Sequence, residues 1–244
     1  MKIGWKLAVL LMLCSFSLVL GVVYIADTPL AAQAYASDAC FPTIVIDPGH
    51  GGFDGGAVGI NGVIEKDINL SLSLDLAEMF RVVGYQVVMT RTDDRSIHDQ
   101  SVEGIKKQKT SDMHNRLAIM QQYPNGIVLS IHQNQFSQSK YSGGQLFYGI
   151  QKEENSRLLA ETMQNNLKDF LQPENNRQIK QAYDNLYLMK NAPSTAVLVE
   201  CGFLSNPDEA ELLSQEEYRR KVAFVICSST LQFIQEEMIH GNQI

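Results

Sequence analysis

The sequence TIVIDPGH, at Thr43–His50, joins a short strand-like run to a turn that carries a histidine. The run TIVID is rich in β-branched residues and stops at a proline and a glycine, which is typical of a buried strand followed by a tight loop. Similar runs recur along the chain. They predict strands at Thr43–Asp47, Tyr85–Thr90, Gly126–Ile131, Gln145–Tyr148 and Ala196–Val199.

Longer segments with helical spacing of apolar residues lie between or after these runs. They predict helices at Ile64–Val83, Asp112–Gln122, Glu153–Phe170, Pro207–Leu213 and Glu216–Glu236. Strands that alternate with helices indicate an α/β fold, here a single domain with a largely parallel twisted sheet flanked by helices. The polar segment Asp93–Thr110 fits neither period, so we predict a surface loop near the site.

Residues 1–36 are predicted to be an export segment that precedes a domain at 37–244, with its core at about 43–235. Leu7–Ile25 is a run of 19 uncharged residues, about 28 Å long as a helix. The A-x-A sites that end at Ala36 favour a cleaved signal peptide, whereas the length of the run favours an uncleaved membrane anchor. Both alternatives place the domain outside the cytoplasm.

The composition fits an ordinary globular protein without a nucleic-acid partner. The 244 residues are 45% apolar, and the net charge is −7. Residues 37–244 contain 18 basic and 26 acidic residues, which does not favour the basic face that nucleic-acid binding usually needs. This part keeps three cysteines, too few for a disulfide scaffold. Cys201 and Cys227 are expected to be small core residues, and the pairing of Cys40 stays open.

Three of the predicted strands lead into a side chain that can bind a metal or transfer a proton. TIVID leads to His50, GIVLSI to His132 and AVLV to Glu200. Because ligand sites of α/β sheets form beyond the carboxyl ends of the strands, we expect these residues at one edge of the sheet. Glu65 begins the first helix, and the glycine-rich loop between it and His50 allows groups to approach closely.

Two histidines and one carboxylate form the ligand set of a catalytic zinc site, and a second glutamate could act as base toward water. The other histidines are not expected to be ligands, since His98 lies in the predicted loop, His114 on an exposed helix and His240 in the polar tail. Asp47 is expected to brace the loop by hydrogen bonding. The lysines at 106, 107 and 109 are expected to be solvated.

The motifs around these residues resemble those of the zinc-dependent N-acetylmuramoyl-L-alanine amidases, the type-3 amidase domain. The resemblance rests on Glu65 and on three motifs in matching order: IDPGHGGFDGGAVG at Ile46–Gly59, SIHQN at Ser130–Asn134 and VECGFLSN at Val199–Asn206. It implies that His50, Glu65 and His132 bind Zn²⁺ and that Glu200 is the catalytic acid/base.

The resemblance also implies a substrate, the amide between N-acetylmuramic acid and the L-alanine of a peptidoglycan stem peptide. Glu200 would take a proton from water and return it to the leaving amine, while zinc or a backbone N–H of the glycine-rich loop would hold the oxyanion. Asn134 and Arg116 either support the site, contact the substrate or have purely structural roles. Gln135, where many relatives have a small residue, could alter the cleft wall.

An export segment without wall-binding repeats is similar to the architecture of germination-specific amidases, which implies a role in spore cortex on the route to muramic-δ-lactam. Three alternatives stay open. The chain could be another zinc hydrolase of peptidoglycan, a non-catalytic binding or activator module with the amidase fold, or an amidase that needs an activating partner protein. The presence of all four expected site residues argues against the second alternative.

Overall fold

The computed structural model describes residues 41–240, in which six strands form one sheet of order β2-β1-β3-β6-β4-β5. The strands are β1 Ile44–Pro48, β2 Val87–Met89, β3 Ile127–Asn134, β4 Gln145–Tyr148, β5 Lys180–Gln181 and β6 Thr195–Phe203. The helices are α1 Glu65–Val82, α2 Ile105–Met120, α3 Glu153–Phe170, α4 Tyr187–Asn191, α5 Pro207–Ser214 and α6 Glu216–His240. The predicted export segment, Cys40 and the side chain of His240 lie outside the described residues.

The sheet is parallel except at one junction. β1 pairs in parallel with β2 and β3, and β3 pairs in parallel with β6. β4 runs antiparallel to β6 and carries the short β5 in parallel on its outer side. The central strands are almost continuously buried, which explains their unbroken apolar runs, because helices cover both faces of such a sheet. The predicted α/β fold is confirmed.

Alternate residues of β1 enter two separate apolar clusters. Ile44 and Ile46 belong to the larger cluster, beneath α1, α3 and α6, whereas Val45 points to the smaller one, beneath α2 and α4. Cys201 and Cys227 are buried free thiols of the larger cluster, as predicted. Among the described residues, no helix is both long and apolar enough to cross a bilayer.

Apart from β3 and β6, which run beyond their predicted ends at Ile131 and Val199, the elements that differ from prediction are short or solvent-exposed. α2 begins at Ile105, so the predicted loop at 93–110 is wrong over its last six residues. These residues form no buried face, since the first buried residue of α2 is Ser111, and they therefore show no apolar periodicity. The two-residue β5 and the five-residue α4 were not predicted.

Candidate metal centre

His50, Glu65 and His132 meet at the carboxyl edge of the parallel strands. The Nε2 atom of His50 lies 3.2 Å from Oε1 of Glu65, and Nδ1 of His132 lies 3.1 Å from the same oxygen. Candidate donor atoms of the three residues all lie within 4.8 Å of one another. His98 instead contacts Ser96, and His114 is exposed on α2, so neither joins this group.

The spacing of these donor atoms suits a tetrahedral zinc ion. Zinc bonds of about 2.0–2.1 Å separate neighbouring ligand atoms by roughly 3.3 Å in a tetrahedron, close to the two N···O distances of 3.1 and 3.2 Å. Two imidazoles and one carboxylate leave at least one coordination position for water or substrate, as catalytic rather than structural zinc sites do. The residues therefore fit the ion that the sequence predicts.

The loop after β1 can fold around these ligands because glycine stands at two crowded positions. A Cβ atom on Gly49 would lie 2.2 Å from the ring of His132. A Cβ atom on Gly56 would lie 2.5 Å from Oε2 of Glu65, and the φ angle of Gly56 is +70°. His50 also has a positive φ of 61°, which is uncommon for a residue with a side chain and needs support from its surroundings.

Two buried arginines hold this loop through three successive backbone carbonyls. Arg116 donates to the carbonyls of Pro48 and His50, at 2.8 and 2.6 Å. Arg91 donates to the carbonyls of Pro48 and Gly49, at 3.0 and 2.9 Å. Arg116 is only 2% exposed, and although it also lines the cavity beside the imidazoles, its contacts with these carbonyls support the loop.

Asp47, in β1, links the buried Arg116 to Thr90, which follows β2, and to Ser130 in β3. Its carboxylate accepts hydrogen bonds from Thr90 and Ser130 at 2.6 and 2.7 Å, and from Arg116 at 2.6 Å. Burial alone would raise the pKa of Asp47, but the attraction of Arg116 and the two hydroxyl groups outweigh burial and lower it. Asp47 thus braces the loop, as predicted.

Asp54 orients the first imidazole. Its Oδ2 lies 3.1 Å from Nδ1 of His50, and its Oδ1 accepts a hydrogen bond from Lys109 at 2.9 Å. Burial lowers the pKa of His50, but hydrogen bonds to Asp54 and Glu65 outweigh it and raise the pKa to about 9. A carboxylate on one imidazole nitrogen directs the other nitrogen toward a metal. The spacing of four residues between His50 and Asp54 would indicate contact only in a helix, whereas these residues form a turn, so the sequence alone gives no signal for this role.

Glu200 lies beside the second imidazole, because His132 and Glu200 are directly paired across β3 and β6. Its Oε2 is buried and has no hydrogen-bond partner among the described residues. Burial, assisted by repulsion from Glu65, raises the pKa of Glu200 to about 7. The residue lies inside β6 rather than just after it, so the predicted strand end at Val199 is wrong, although Glu200 reaches the expected edge of the sheet.

A cavity of about 220 Å³ opens beside the two imidazoles. Its polar lining includes His50, His132, Asp54 and Arg116. Its apolar lining comes from α2, α4 and β6, namely Met113, Leu188, Met189 and Leu198. Asn134, the last residue of β3, is partly exposed, and its carbonyl accepts a hydrogen bond from the N–H of Leu204. The cavity is the candidate place for substrate.

The backbone of the glycine-rich loop is largely occupied by internal hydrogen bonds. The N–H groups of Gly49 and Gly51 donate to the carbonyls of Ile131 and Asp54, both at 2.9 Å. The N–H of Gly52 donates to the Asp94 carboxylate at 2.8 Å. These three groups are therefore not available as the oxyanion donors that we considered in this loop.

The model of the N-acetylmuramoyl-L-alanine amidase family matches residues 44–231, and the chain belongs to this family. The germination-specific N-acetylmuramoyl-L-alanine amidase of Bacillus subtilis (strain 168) is 35% identical over 194 residues, 80% of either chain. The CwlD amidase from Clostridioides difficile, solved in complex with the GerS lipoprotein, is 36% identical with a TM-score of 0.76, over 80% of this chain and 99% of that one. The amidase AmiC2 of Nostoc punctiforme is 28% identical with a TM-score of 0.66, over 80% and 97%. The chain is thus an amidase of peptidoglycan, and the predicted enzyme class is confirmed.

Proposed function

We propose that this amidase depends on zinc, that His50, Glu65 and His132 hold the metal, and that Glu200 is the catalytic acid/base. One observation carries the proposal: donor atoms of the first three residues meet at one point, beside the buried, unpartnered oxygen of Glu200. A buried carboxylate oxygen without a hydrogen-bond partner is costly for the fold, and a catalytic role accounts for that cost.

The residues of the chain divide the reaction between them. When bound, zinc supplies Lewis acidity toward the scissile carbonyl and lowers the pKa of water to about 7. Glu200 accepts a proton from the attacking water, because burial keeps the pKa of its carboxyl near neutrality. The water oxygen bonds to the carbonyl carbon of the lactyl group. As the C–N bond breaks, Glu200 gives its proton to the departing amine of L-alanine, and the lactyl group remains on muramic acid as a carboxylic acid.

The variant Glu200→Gln tests this assignment, because it keeps the size of the side chain and removes its basicity. We expect it to retain one zinc ion per chain and to lose about 10²- to 10⁴-fold in amide hydrolysis. Glu161→Gln, which changes an exposed glutamate on α3, is the matched control and should retain both properties. Full turnover by a zinc-loaded Glu200→Gln protein would remove Glu200 from the mechanism.

We propose further that residues 1–36 export the domain, as a cleaved signal peptide or a membrane tether, and that it acts on spore cortex as a step toward muramic-δ-lactam. The similarity to the germination-specific amidase of B. subtilis supports this substrate. Purified cortex and vegetative peptidoglycan should be compared at equal concentration. Faster release of stem peptides from cortex is expected, and faster release from vegetative wall would contradict the proposal.

An activating partner protein is the last part of the proposal. It is supported by the CwlD amidase, which was solved in complex with the GerS lipoprotein. A partner that completes the site should raise zinc affinity or turnover. Titrating the chain with a lipoprotein encoded in the same organism measures both, and a complex that forms without changing either would contradict an activating role.

A further inference from the structure

Of the three proposed metal ligands, Glu65 is the one most enclosed by the rest of the protein. It is 3% exposed, and both of its carboxylate oxygens accept hydrogen bonds from the chain. Oε2 accepts the N–H of Ala57 at 2.8 Å, and Oε1 accepts the N–H of Gln133 at 3.1 Å. Among residues 41–239, the one side-chain amide that donates to it belongs to Asn69, whose Nδ2 lies 3.3 Å from Oε1.

Asn69 joins the three segments that carry the proposed ligands. It lies one turn after Glu65 on α1 and is completely buried, with buried Leu72 and Ser73 on the next turn of the same face. Its Nδ2 also donates to the carbonyl of Gly49, next to His50, at 3.3 Å. Its Oδ1 accepts a hydrogen bond from Nε2 of Gln133, the neighbour of His132, at 3.1 Å.

Glu65 and Gly49 fix which end of the Asn69 amide faces them. An amide has a donating and an accepting end, and a 180° rotation exchanges them. Because a carboxylate and a carbonyl can only accept, the NH₂ group of Asn69 points toward Glu65 and Gly49, and its Oδ1 accepts from Nε2 of Gln133. With the opposite rotation, Oδ1 of Asn69 would face the carboxylate of Glu65 and repel it.

We propose that the Asn69–Gln133 amide pair is a positioning device that fixes the Glu65 carboxylate in the orientation that binds the metal. The inference rests on the proposed zinc dependence. Both residues are buried and neither lines the cavity beside the imidazoles, so we infer that both act through Glu65. Groups that support metal ligands in this way typically contribute 10- to 100-fold to metal affinity.

The double variant Asn69→Leu/Gln133→Leu distinguishes a role in orienting Glu65 from a role in the stability of the fold. Replacing both partners of a buried hydrogen bond by apolar groups of similar shape costs little stability, whereas removing one leaves the other unsatisfied. We therefore expect the double variant to melt closer to the wild-type temperature than Asn69→Leu alone. Its zinc Kd, measured by competition with a chromogenic chelator, should nevertheless be about 10- to 100-fold weaker than that of the wild type.

A matched control is Asn175→Leu, because Asn175 is also a buried asparagine bonded to a glutamine, Gln172, in a part of the fold that holds no proposed ligand. It should lower the melting temperature without changing the zinc Kd. All variants are made in the full chain, and His50→Ala sets the affinity of a broken site. If the wild type binds zinc no better than His50→Ala, the proposed zinc dependence fails, and the inference with it. If the wild type binds zinc tightly and the double variant binds it equally well, only the positioning role is overturned.

Discussion

Replacing Asp47 by asparagine tests whether a buried ion pair holds the ligand-bearing loop. The substitution keeps the shape of the side chain, so no cavity forms, but it removes the charge that faces Arg116 at 2.6 Å. The hydroxyl groups of Thr90 and Ser130 can rotate to suit the new amide, whereas a guanidinium can only donate. The loss in the free energy of unfolding therefore arises mainly because Arg116, which is 2% exposed, loses its charged partner.

The expected loss can be estimated from burial. Removing one partner of a buried pair typically costs about 3–5 kcal/mol in the free energy of unfolding. Arg116 keeps Asp112, also at 2.6 Å, so the lower end of the range, about 3 kcal/mol, is expected. With a urea m-value of about 3 kcal/mol/M, the unfolding midpoint should fall by roughly 1 M.

The control removes an ion pair of the same length from the surface. Arg157 and Glu161 are also 2.6 Å apart, but their side chains are 40% and 43% exposed. Glu161→Gln should therefore cost less than about 1 kcal/mol. If Asp47→Asn loses no more stability than Glu161→Gln, the buried pair of Asp47 and Arg116 does not hold the loop.

The pH dependence of the same pair gives a second readout. The pKa of Asp47 is lowered in the folded state, so its ionised form contributes stability above the pKa of unfolded aspartate, and this contribution is lost as pH falls through the folded pKa. The difference between wild type and Asp47→Asn in unfolding free energy should thus be constant near neutral pH and narrow only below about pH 4. A gap that narrows between pH 8 and 6 would point to another group.

Two further predictions concern the metal centre. Asp54→Asn removes the carboxylate on Nδ1 of His50, and we expect zinc affinity about 10- to 100-fold weaker in a competition titration; unchanged affinity would mean that Asp54 does not orient the imidazole. Gly56→Ala places a methyl group against Oε2 of Glu65 at a positive φ, so the purified protein should contain clearly less than one zinc ion per chain. Gly62→Ala also has a positive φ but no neighbour within 4 Å of the added Cβ, and it should keep its zinc.

The sequence predicted those helices and strands whose buried residues produce a recognisable spacing of apolar residues. The central strands are buried on both faces, so their apolar runs stand out, and the helix at Glu153–Phe170 was predicted at its observed bounds. The start of α2 leaves no such pattern, because its first turns are exposed. β5 also leaves no pattern in the sequence, because it forms through pairing with β4. One hydrogen bond next to this pairing runs from the N–H of Ala182 to the carbonyl of Tyr148.

The candidate site was predictable where the type of residue itself indicates its chemistry. His50 and His132 near the ends of apolar strands, with Glu65 at the start of α1, indicated a metal centre, and the fold brings donor atoms of the three residues within 4.8 Å of one another. The amides of Asn69 and Gln133 could not be recognised in this way, since asparagine and glutamine serve many purposes. Their role depends on which end of each amide faces its neighbour, and only the three-dimensional contacts supply that information.

The most direct test of the account is mass spectrometry of purified peptidoglycan digested by residues 37–244, with zinc supplied and then removed by a chelator. We expect new free amines only on L-alanine and matching carboxyl groups on muramic acid. Both products should disappear after chelation and return when zinc is restored. New termini at peptide bonds within the stem would make the chain a different hydrolase. Undiminished digestion after complete removal of zinc would contradict the metal centre itself.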